Sequence, residues 1–314
     1  MTAPYDRLGA VLDNLGENAA ALLRWEEKRL GHIAELAETL VSELSASGEV
    51  GSPRALLSAL SSAVAALPPP TLPEGGLARH RPALLAALTA LSDRDRAHLA
   101  TAVRTAVEGR LGRPLSLSDF AGGPVPPRGE GRLVYVQNPH TDHALSRLLP
   151  LVGTPTVTHR ESFRELVDDV QGGHADYALL PLRSGGTPIA SVSAMLEEHG
   201  LAVLAVLSLD AGGSEAVFGL LGRESVRLGP PTHFLFTSAL PGLGLAGLLS
   251  ALSALPVTLE RWDALALDGG EGDLYRLSVR GDDATLVPFL VYLSLFVPGY
   301  IGHGFYFEQE RNTP

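Results

Sequence analysis

The amino-acid sequence predicts a multidomain α + α/β protein with an all-helical N-terminal region, a middle α/β lobe and a smaller C-terminal α/β unit. Three observations lead to this prediction. Apolar residues recur at helical spacing through the first region, strand and helix patterns then alternate, and clusters of glycine and proline separate the regions. We expect domain boundaries that enclose residues 1–120, 130–228 and 229–314.

The first region carries a long apolar stripe. Leucine and isoleucine residues from Leu8 to Leu44 recur on one face at helical spacing, which predicts a helix of roughly 35–40 residues. A helix of that length needs a partner helix or a second subunit to cover its apolar face, so we expect a homodimer. Shorter helices are predicted over residues 53–67, 81–91 and 93–111, the last with Ser92 as its N-cap.

The middle region alternates between strand and helix patterns, which is typical of a mostly parallel sheet. We expect Asp142 and Ser162 to cap the first two helices. Strands are predicted at residues 133–136, 156–158, 177–182 and 201–207, and helices at residues 142–149, 162–171 and 192–199.

The last region has a different order. Strands are predicted at residues 233–238, 257–266, 273–280 and 299–307, and helices at residues 243–254 and 283–296. The order βαββαβ predicts a ferredoxin-like unit, in which both helices lie on one face of an antiparallel sheet.

Composition and charge exclude several classes of protein. Hydrophobic residues make up 45% of 314 residues, which excludes a disordered chain. The sequence contains neither a signal-peptide pattern nor an apolar stretch of about 18 residues, so we expect no membrane segment. The absence of cysteine excludes thiolate sites and makes the cytoplasm the default location. A net charge of −11 argues against nucleic-acid binding.

Two motifs of the middle region suggest a family. Ser162-Phe163 opens a predicted helix that leads into GHADYALLPL at residues 173–182, and Val217-Phe218 precedes LLGRE at residues 220–224. This pattern resembles the prephenate dehydratases. Residues 232–305 resemble the ACT domain attached to that family, and the N-terminal helices resemble an all-helical chorismate mutase in length and order. The whole chain is similar to the bifunctional chorismate mutase–prephenate dehydratases of phenylalanine biosynthesis.

The resemblance also shows where the chain departs from the dehydratase pattern. Arg183-Ser184-Gly185 stands where the family has glutamate, asparagine and serine, and Ala216-Val217 stands where it has its catalytic threonine and an arginine. Residues 208–216 replace a second lobe. Dehydration needs a positioned acid in a closed cleft, so we expect a degenerate dehydratase.

The resemblance implies a ligand site in the C-terminal unit, where ACT domains bind effectors such as phenylalanine between subunits. The corresponding residues are Pro241, Gly242, Leu243, Glu260 and Trp262, and the turn before the first helix is expected to lie beside Glu260. We expect no cofactor, and no metal at His140 and His143, because two histidines without a third ligand are usually surface residues.

The favoured function is therefore a divergent member of the phenylalanine pathway that acts as a non-catalytic or ligand-sensing dimer. One alternative is an active chorismate mutase with vestigial dehydratase and ACT parts, in which Arg24, Arg29 and Arg81 would hold the substrate carboxylates. Another alternative is a structural or interaction protein that has lost its ligands.

Overall fold

The structure is a computed structural model that describes residues 4–46, 52–64, 76–120, 131–210, 213–225, 228–240, 243–265, 274–297 and 299–309. The N-terminal region forms four helices: α1 (Pro4–Ala46), α2 (Pro53–Val64), α3 (Gly76–Ala90) and α4 (Asp93–Leu111). Ser92 caps α4, since its hydroxyl accepts a hydrogen bond from the backbone N–H of Asp95 at 3.2 Å. None of the helices in these ranges combines the length and apolar composition that crossing a bilayer requires.

The middle region forms a mixed sheet rather than a mostly parallel one. Its strands run in the order β2-β1-β3-β6-β5. β1 is parallel to β2 and β3, whereas β6 is antiparallel to both of its neighbours. The elements are β1 (Arg132–Val136), α5 (Pro139–Leu148), β2 (Thr156–Arg160), α6 (Phe163–Gln171), β3 (Tyr177–Ser184), β4 (Thr187–Pro188), α7 (Ala190–His199), β5 (Ala202–Asp210) and β6 (Glu215–Gly222).

The two predicted helix caps of this region have different outcomes. Ser162 caps α6 as predicted, accepting from the backbone N–H of Glu165 at 3.3 Å. The prediction for Asp142 is wrong, because α5 begins at Pro139 and its N-cap is Asn138. Proline favours the first helical position, and the Asn138 side chain already accepts from the two N–H groups that follow.

The C-terminal unit has the expected βαββαβ order. Its strands pair in the order β10-β7-β9-β8, and every pair is antiparallel. Both helices share one hydrophobic core with Phe236 and Leu277 of the central strands, and they therefore lie on the same face of the sheet. The elements are β7 (His233–Ser238), α8 (Gly244–Leu252), β8 (Thr258–Leu265), β9 (Leu274–Arg280), α9 (Asp283–Phe296) and β10 (Ile301–Gln309).

The two α/β regions share a single sheet. The first part of β10 is antiparallel to β7, and its last three residues pair in parallel with residues 205–207 of β5. The long strand β10 thereby joins the two sheets into one of ten strands.

The N-terminal helices cover the outer surface of α8 and α9. Leu40 of α1, Leu60 of α2 and Val103 of α4 belong to the same buried cluster as Phe289 of α9. The region predicted as a separate helical domain therefore shares its core with the C-terminal unit, and it forms a third layer beyond α8 and α9.

Candidate functional site

The two departures from the dehydratase pattern meet at one corner of the sheet. Arg183 of β3 pairs with Val217 of β6, and Ser184 pairs with Ala216. The backbone N–H of Gly185 donates to the carbonyl of Glu215 at 2.8 Å. Strands β5 and β6 pair as far as Asp210 and Glu215, so only residues 211–214 connect them. The structure therefore has a short hairpin where a two-lobed enzyme would have its second lobe.

The guanidinium of Arg183 is already engaged at this corner. Its Nη1 lies 2.7 Å from the Asp263 carboxylate on β8, and its Nη2 donates to the carbonyl of Gly186 at 2.6 Å. Both side chains of the ion pair are about four-fifths buried. Asp263 neutralises Arg183, which is the one charged residue among the three that stand in place of the family's loop. The ion pair also connects this corner of the sheet to the C-terminal unit.

A larger cavity, of about 680 Å³, adjoins this corner along α7 and the last residues of β8. A small cavity lies directly behind the ion pair, between the middle sheet, α7 and β8. Its volume is about 60 Å³, and its wall includes Arg183, Asp263 and Tyr306 together with the apolar side chains of Val206 and Leu235. A space of this size holds a few water molecules. It is far smaller than the cavities of about 300–1,000 Å³ that bind small molecules.

Glu260 belongs to a charged cluster at the start of the C-terminal sheet. It lies at an irregularity in the pairing of β8 with β9, and its carboxylate bonds to Nε2 of His233. Glu308 lies 3.7 Å from the same nitrogen and accepts from Arg261 at 3.0 Å. Thr232 lies 2.7 Å from the other ring nitrogen of His233.

Within the described ranges, His233, Glu260 and Glu308 are the only group of three side chains arranged to hold a metal ion. The cationic Arg261 already neutralises Glu308, and His233 is a hydrogen-bonding partner for Glu260. Each carboxylate therefore has a partner within the chain, and the cluster is a polar network that joins β7, β8 and β10.

Two of the predicted ligand residues that the structure describes, Leu243 and Glu260, lie toward opposite ends of the sheet. β7 and β8 both run antiparallel to β9, so the starts of β7 and β8 lie at the same end of the sheet. Glu260 therefore lies near His233, at the start of β7, whereas Leu243 follows the end of β7. Leu243 therefore does not lie beside Glu260. Pro241 and Gly242 lie outside the described residues, and a role of these five residues in binding stays a prediction.

Trp262 occupies the edge strand β8 and is 52% exposed. Its ring centroid lies 6.4 Å from that of Tyr275 on the neighbouring strand. An exposed indole on the outer strand of a sheet is available to a ligand or to a second subunit.

The arginines of the mutase alternative are not gathered in a described pocket. Arg29 pairs with the buried Asp95 and lies 3.3 Å from Glu26, and its guanidinium stacks over Trp25 at 5.5 Å. Arg24 is exposed. Arg81 is in α3, and its side chain lies outside the described residues. The charge of Arg29 is thus already compensated by two carboxylates.

A second polar network links the two α/β regions, and the sequence analysis missed it. The carboxylate of Glu197 on α7 accepts from Thr237 at 2.7 Å and from Arg276 at 2.8 Å, and Nε2 of His303 lies 3.3 Å away. Burial raises the pKa of Glu197, but the hydrogen bonds from His303, Thr237 and Arg276 outweigh it and lower the pKa to about 2. No local motif connects these residues, so only their positions in the fold identify them.

Comparison with known proteins finds similarity in structure only. No family model and no curated protein sequence matches the chain. A prephenate dehydratase from Streptococcus mutans is similar, with 16% identity and a TM-score of 0.47 over 57% of this chain and 100% of that one. GqqA, described as a novel type of quorum quenching acylase, has 22% identity and a TM-score of 0.47 over 58% of this chain and 98% of its own. A prephenate dehydratase from Arthrobacter aurescens in complex with L-Phe has 12% identity and a TM-score of 0.44, over 56% and 89% of the two chains.

Proposed function

We propose that this chain is a divergent relative of the prephenate dehydratases that has lost dehydratase chemistry and acts as a ligand-binding homodimer in aromatic amino-acid metabolism. The observation that carries the proposal is the Arg183–Asp263 ion pair, at 2.7 Å. It occupies the corner where the sequence resemblance puts the dehydratase loop. The cavity directly behind the pair, about 60 Å³, is itself too small for a substrate.

The first test is incubation of the purified protein with prephenate at neutral pH, followed by chromatography of the products. We expect phenylpyruvate to form no faster than in a protein-free sample. An active dehydratase serves as the positive control. A parallel incubation with chorismate tests the mutase alternative. Phenylpyruvate above the protein-free rate would contradict the proposed loss of chemistry, and prephenate formed from chorismate would support the mutase alternative.

The ligand part of the proposal rests on the exposed edge strand β8. Trp262 offers an aromatic ring on the helix-covered face of β8, and Glu260, 31% exposed and bonded to His233 on the opposite face, offers a carboxylate for an ammonium group. A ligand that reaches both side chains has to lie along the free edge of β8. L-phenylalanine carries an aromatic ring and an ammonium group, which complement these two side chains. Titration calorimetry is expected to show saturable binding of L-phenylalanine that weakens at least about fivefold in Glu260→Gln and in Trp262→Ala, since a charged hydrogen bond contributes about 1.5–3 kcal/mol.

Thr258→Ala is the matched control for this titration, because Thr258 is exposed on the same strand. It is expected to leave the affinity unchanged. If L-phenylalanine binds both Glu260→Gln and Trp262→Ala with unchanged affinity, β8 is not the ligand site.

The dimer part of the proposal rests on the first half of α1. Its second half is buried through Ile33, Leu40 and Leu44. Its first half exposes five large apolar side chains, each more than half accessible: Leu12, Leu15, Leu22, Leu23 and Trp25. A helix of 43 residues extends well beyond the body that covers its second half, and a second copy of the same helix offers a matching apolar surface.

A further inference from the structure

A cavity of about 390 Å³ lies where the helical layer meets both α/β regions. Its wall combines Arg54 at the start of α2 and Arg223 after β6 with the aromatic rings of Phe234, Tyr300 and Phe305. The volume falls within the range of small-molecule sites. Neither Glu260 nor Trp262 lines this cavity, so the inference below does not depend on the proposed ligand site on β8.

The charge on this wall is positive, in a chain whose net charge is −11. No carboxylate lines the cavity among the residues that the structure describes, and Arg54 forms no ion pair with any of them. Arg223 lies 3.9 Å from Glu224, but both side chains are more than half exposed and such a pair is worth little. Two guanidiniums beside a cavity without an opposing acid favour an anionic ligand.

The carboxylate of Asp119 does not compensate Arg54. Asp119 lines a smaller adjoining cavity, of about 230 Å³, that also touches Arg54. Both of its oxygens accept from Arg113, at 2.8 and 2.9 Å. Asp119 is therefore engaged elsewhere, and Arg54 keeps its capacity to bind an anion.

A bulge in β10 shapes one side of the wall. The pairing of β10 with β7 shifts between Gly302 and Gly304, and His303 lies in the shifted segment. Gly304 has φ +116, and an added Cβ would lie 3.0 Å from the carbonyl of Val203, so a larger residue does not fit there.

We propose that this cavity binds a small aromatic carboxylate, whose carboxylate is held by Arg54 and Arg223 and whose ring packs against Phe234, Tyr300 and Phe305. The charges on the wall also discriminate between aromatic acids that lack an ammonium group and aromatic amino acids. An amino acid brings an ammonium group close to two guanidiniums, and no carboxylate among the described lining residues offsets that repulsion. The geometry therefore favours an arylpropionate or a 2-oxo acid over the corresponding amino acid.

Titration calorimetry on the full chain with four probes tests the proposal. We expect saturable binding of 3-phenylpropionate and phenylpyruvate. We expect 3-phenylpropionamide, which keeps the ring but lacks the charge, to bind at least about tenfold more weakly because a charge-assisted hydrogen bond is lost. L-phenylalanine is expected to bind this cavity at least about tenfold more weakly for want of an ammonium partner.

The variants Arg54→Gln and Arg223→Gln locate the site. Each is expected to weaken binding of 3-phenylpropionate about tenfold, whereas Arg110→Gln, an exposed arginine in the last turn of α4, is expected to have no effect. The proposal is overturned if neither acid binds at millimolar concentration, or if both bind Arg54→Gln and Arg223→Gln unchanged. L-phenylalanine binding that depends on Glu260 but not on Arg54 would support the β8 site, and equal affinity of 3-phenylpropionamide would overturn the cavity assignment.

Discussion

Arg276 of β9 donates hydrogen bonds from Nη2 and Nε to the same carboxylate oxygen of Glu197 on α7, at 2.8 and 3.3 Å. The guanidinium also donates to the backbone carbonyl of Ser193 at 2.7 Å. α7 belongs to the middle region and β9 to the C-terminal unit. This ion pair therefore connects the two α/β regions at a second place, in addition to the sheet that they share. Arg276 is only 8% exposed, which makes its charge dependent on this one carboxylate.

Glu197→Gln is expected to lower the free energy of unfolding by about 2–3 kcal/mol, because it leaves the buried Arg276 charge without a counter-ion. Urea unfolding followed by circular dichroism measures the change. Glu198→Gln is the matched control, since Glu198 is the next residue on the helix and its side chain is 65% exposed. Its expected effect is within about 0.5 kcal/mol. Equal effects of the two substitutions would contradict a structural role for the ion pair.

The same carboxylate predicts a dependence of stability on pH. The pKa of Glu197 is lowered from 4.5 to about 2 in the folded chain, where hydrogen bonds from His303, Thr237 and Arg276 outweigh burial. The stabilisation that ionised Glu197 adds to the free energy of unfolding is therefore fully present above about pH 4.5 and is lost as the pH falls toward 2. At about pH 3 the wild type is expected to have lost about 2 kcal/mol through this group.

The difference in unfolding free energy between wild type and Glu197→Gln isolates this contribution, because other acid-titrating groups cancel. We expect the difference to shrink as the pH falls from about 5 to about 3. A difference that stays constant over this interval would mean that the Glu197 pKa is the same in the folded and unfolded chain.

The proposed dimer predicts the effect of charge on the exposed part of α1. Leu22 and Leu23 are 67% and 68% exposed, and burying a leucine contributes about 1.5–3 kcal/mol. Leu22→Lys combined with Leu23→Lys is therefore expected to raise the dimer dissociation constant at least about a hundredfold. Light scattering after size exclusion is expected to give a dimer for the wild type and a monomer for this variant.

Leu249→Lys serves as the control for the dimer experiment, because Leu249 is an exposed leucine on α8. It is expected to remain dimeric. A monomeric wild type would contradict the dimer, and a Leu249→Lys variant that dissociates would move the interface from α1 to the face of the C-terminal unit.

Two glycines predict opposite effects of the same substitution. A Cβ at Gly219 on β6 would lie 2.7 and 2.9 Å from side-chain carbons of Leu182, so Gly219→Ala is expected to cost about 1–3 kcal/mol of stability. Gly109, within α4, has open space around its Cβ position, so Gly109→Ala is expected to add about 0.5–1 kcal/mol. Thermal and urea unfolding measure both, and stabilisation by Gly219→Ala would contradict the packing of β3 on β6.

Several features of the fold follow from local sequence. The bounds of β7 (His233–Ser238) and α9 (Asp283–Phe296) agree with the predicted ones. Ser92 and Ser162 cap helices where their spacing to the following apolar residues predicts. Such features depend on side-chain periodicity and on hydrogen bonds within a few residues, which a single segment contains. The Asp142 cap was wrong because Asn138 and Pro139 supply an earlier start of the same helix.

The candidate site followed from the sequence only in part. The resemblance identified Arg183 as a departure from the dehydratase pattern, but its partner Asp263 is 80 residues away. Glu260 was selected as a ligand residue, and the irregularity in β8 instead brings it to His233. The cavity beside Arg54 and Arg223 depends on how the helical layer meets the sheet, and no motif contains both residues.

The sequence by itself determined most of the elements and their order: the long first helix, the alternation of the middle region as far as β5, and the βαββαβ unit. It did not predict β4 or β6, and β6 is the strand that makes the middle sheet mixed. Tertiary structure alone decided that β10 pairs with both β7 and β5, that α1, α2 and α4 share a core with α9, and that Glu197 meets Arg276, 79 residues further along the chain. The physical reason is that periodicity reports which face of a segment is buried but not what buries it. Any apolar face or strand edge of suitable length can serve as that partner, and the choice is made by packing among segments distant in sequence.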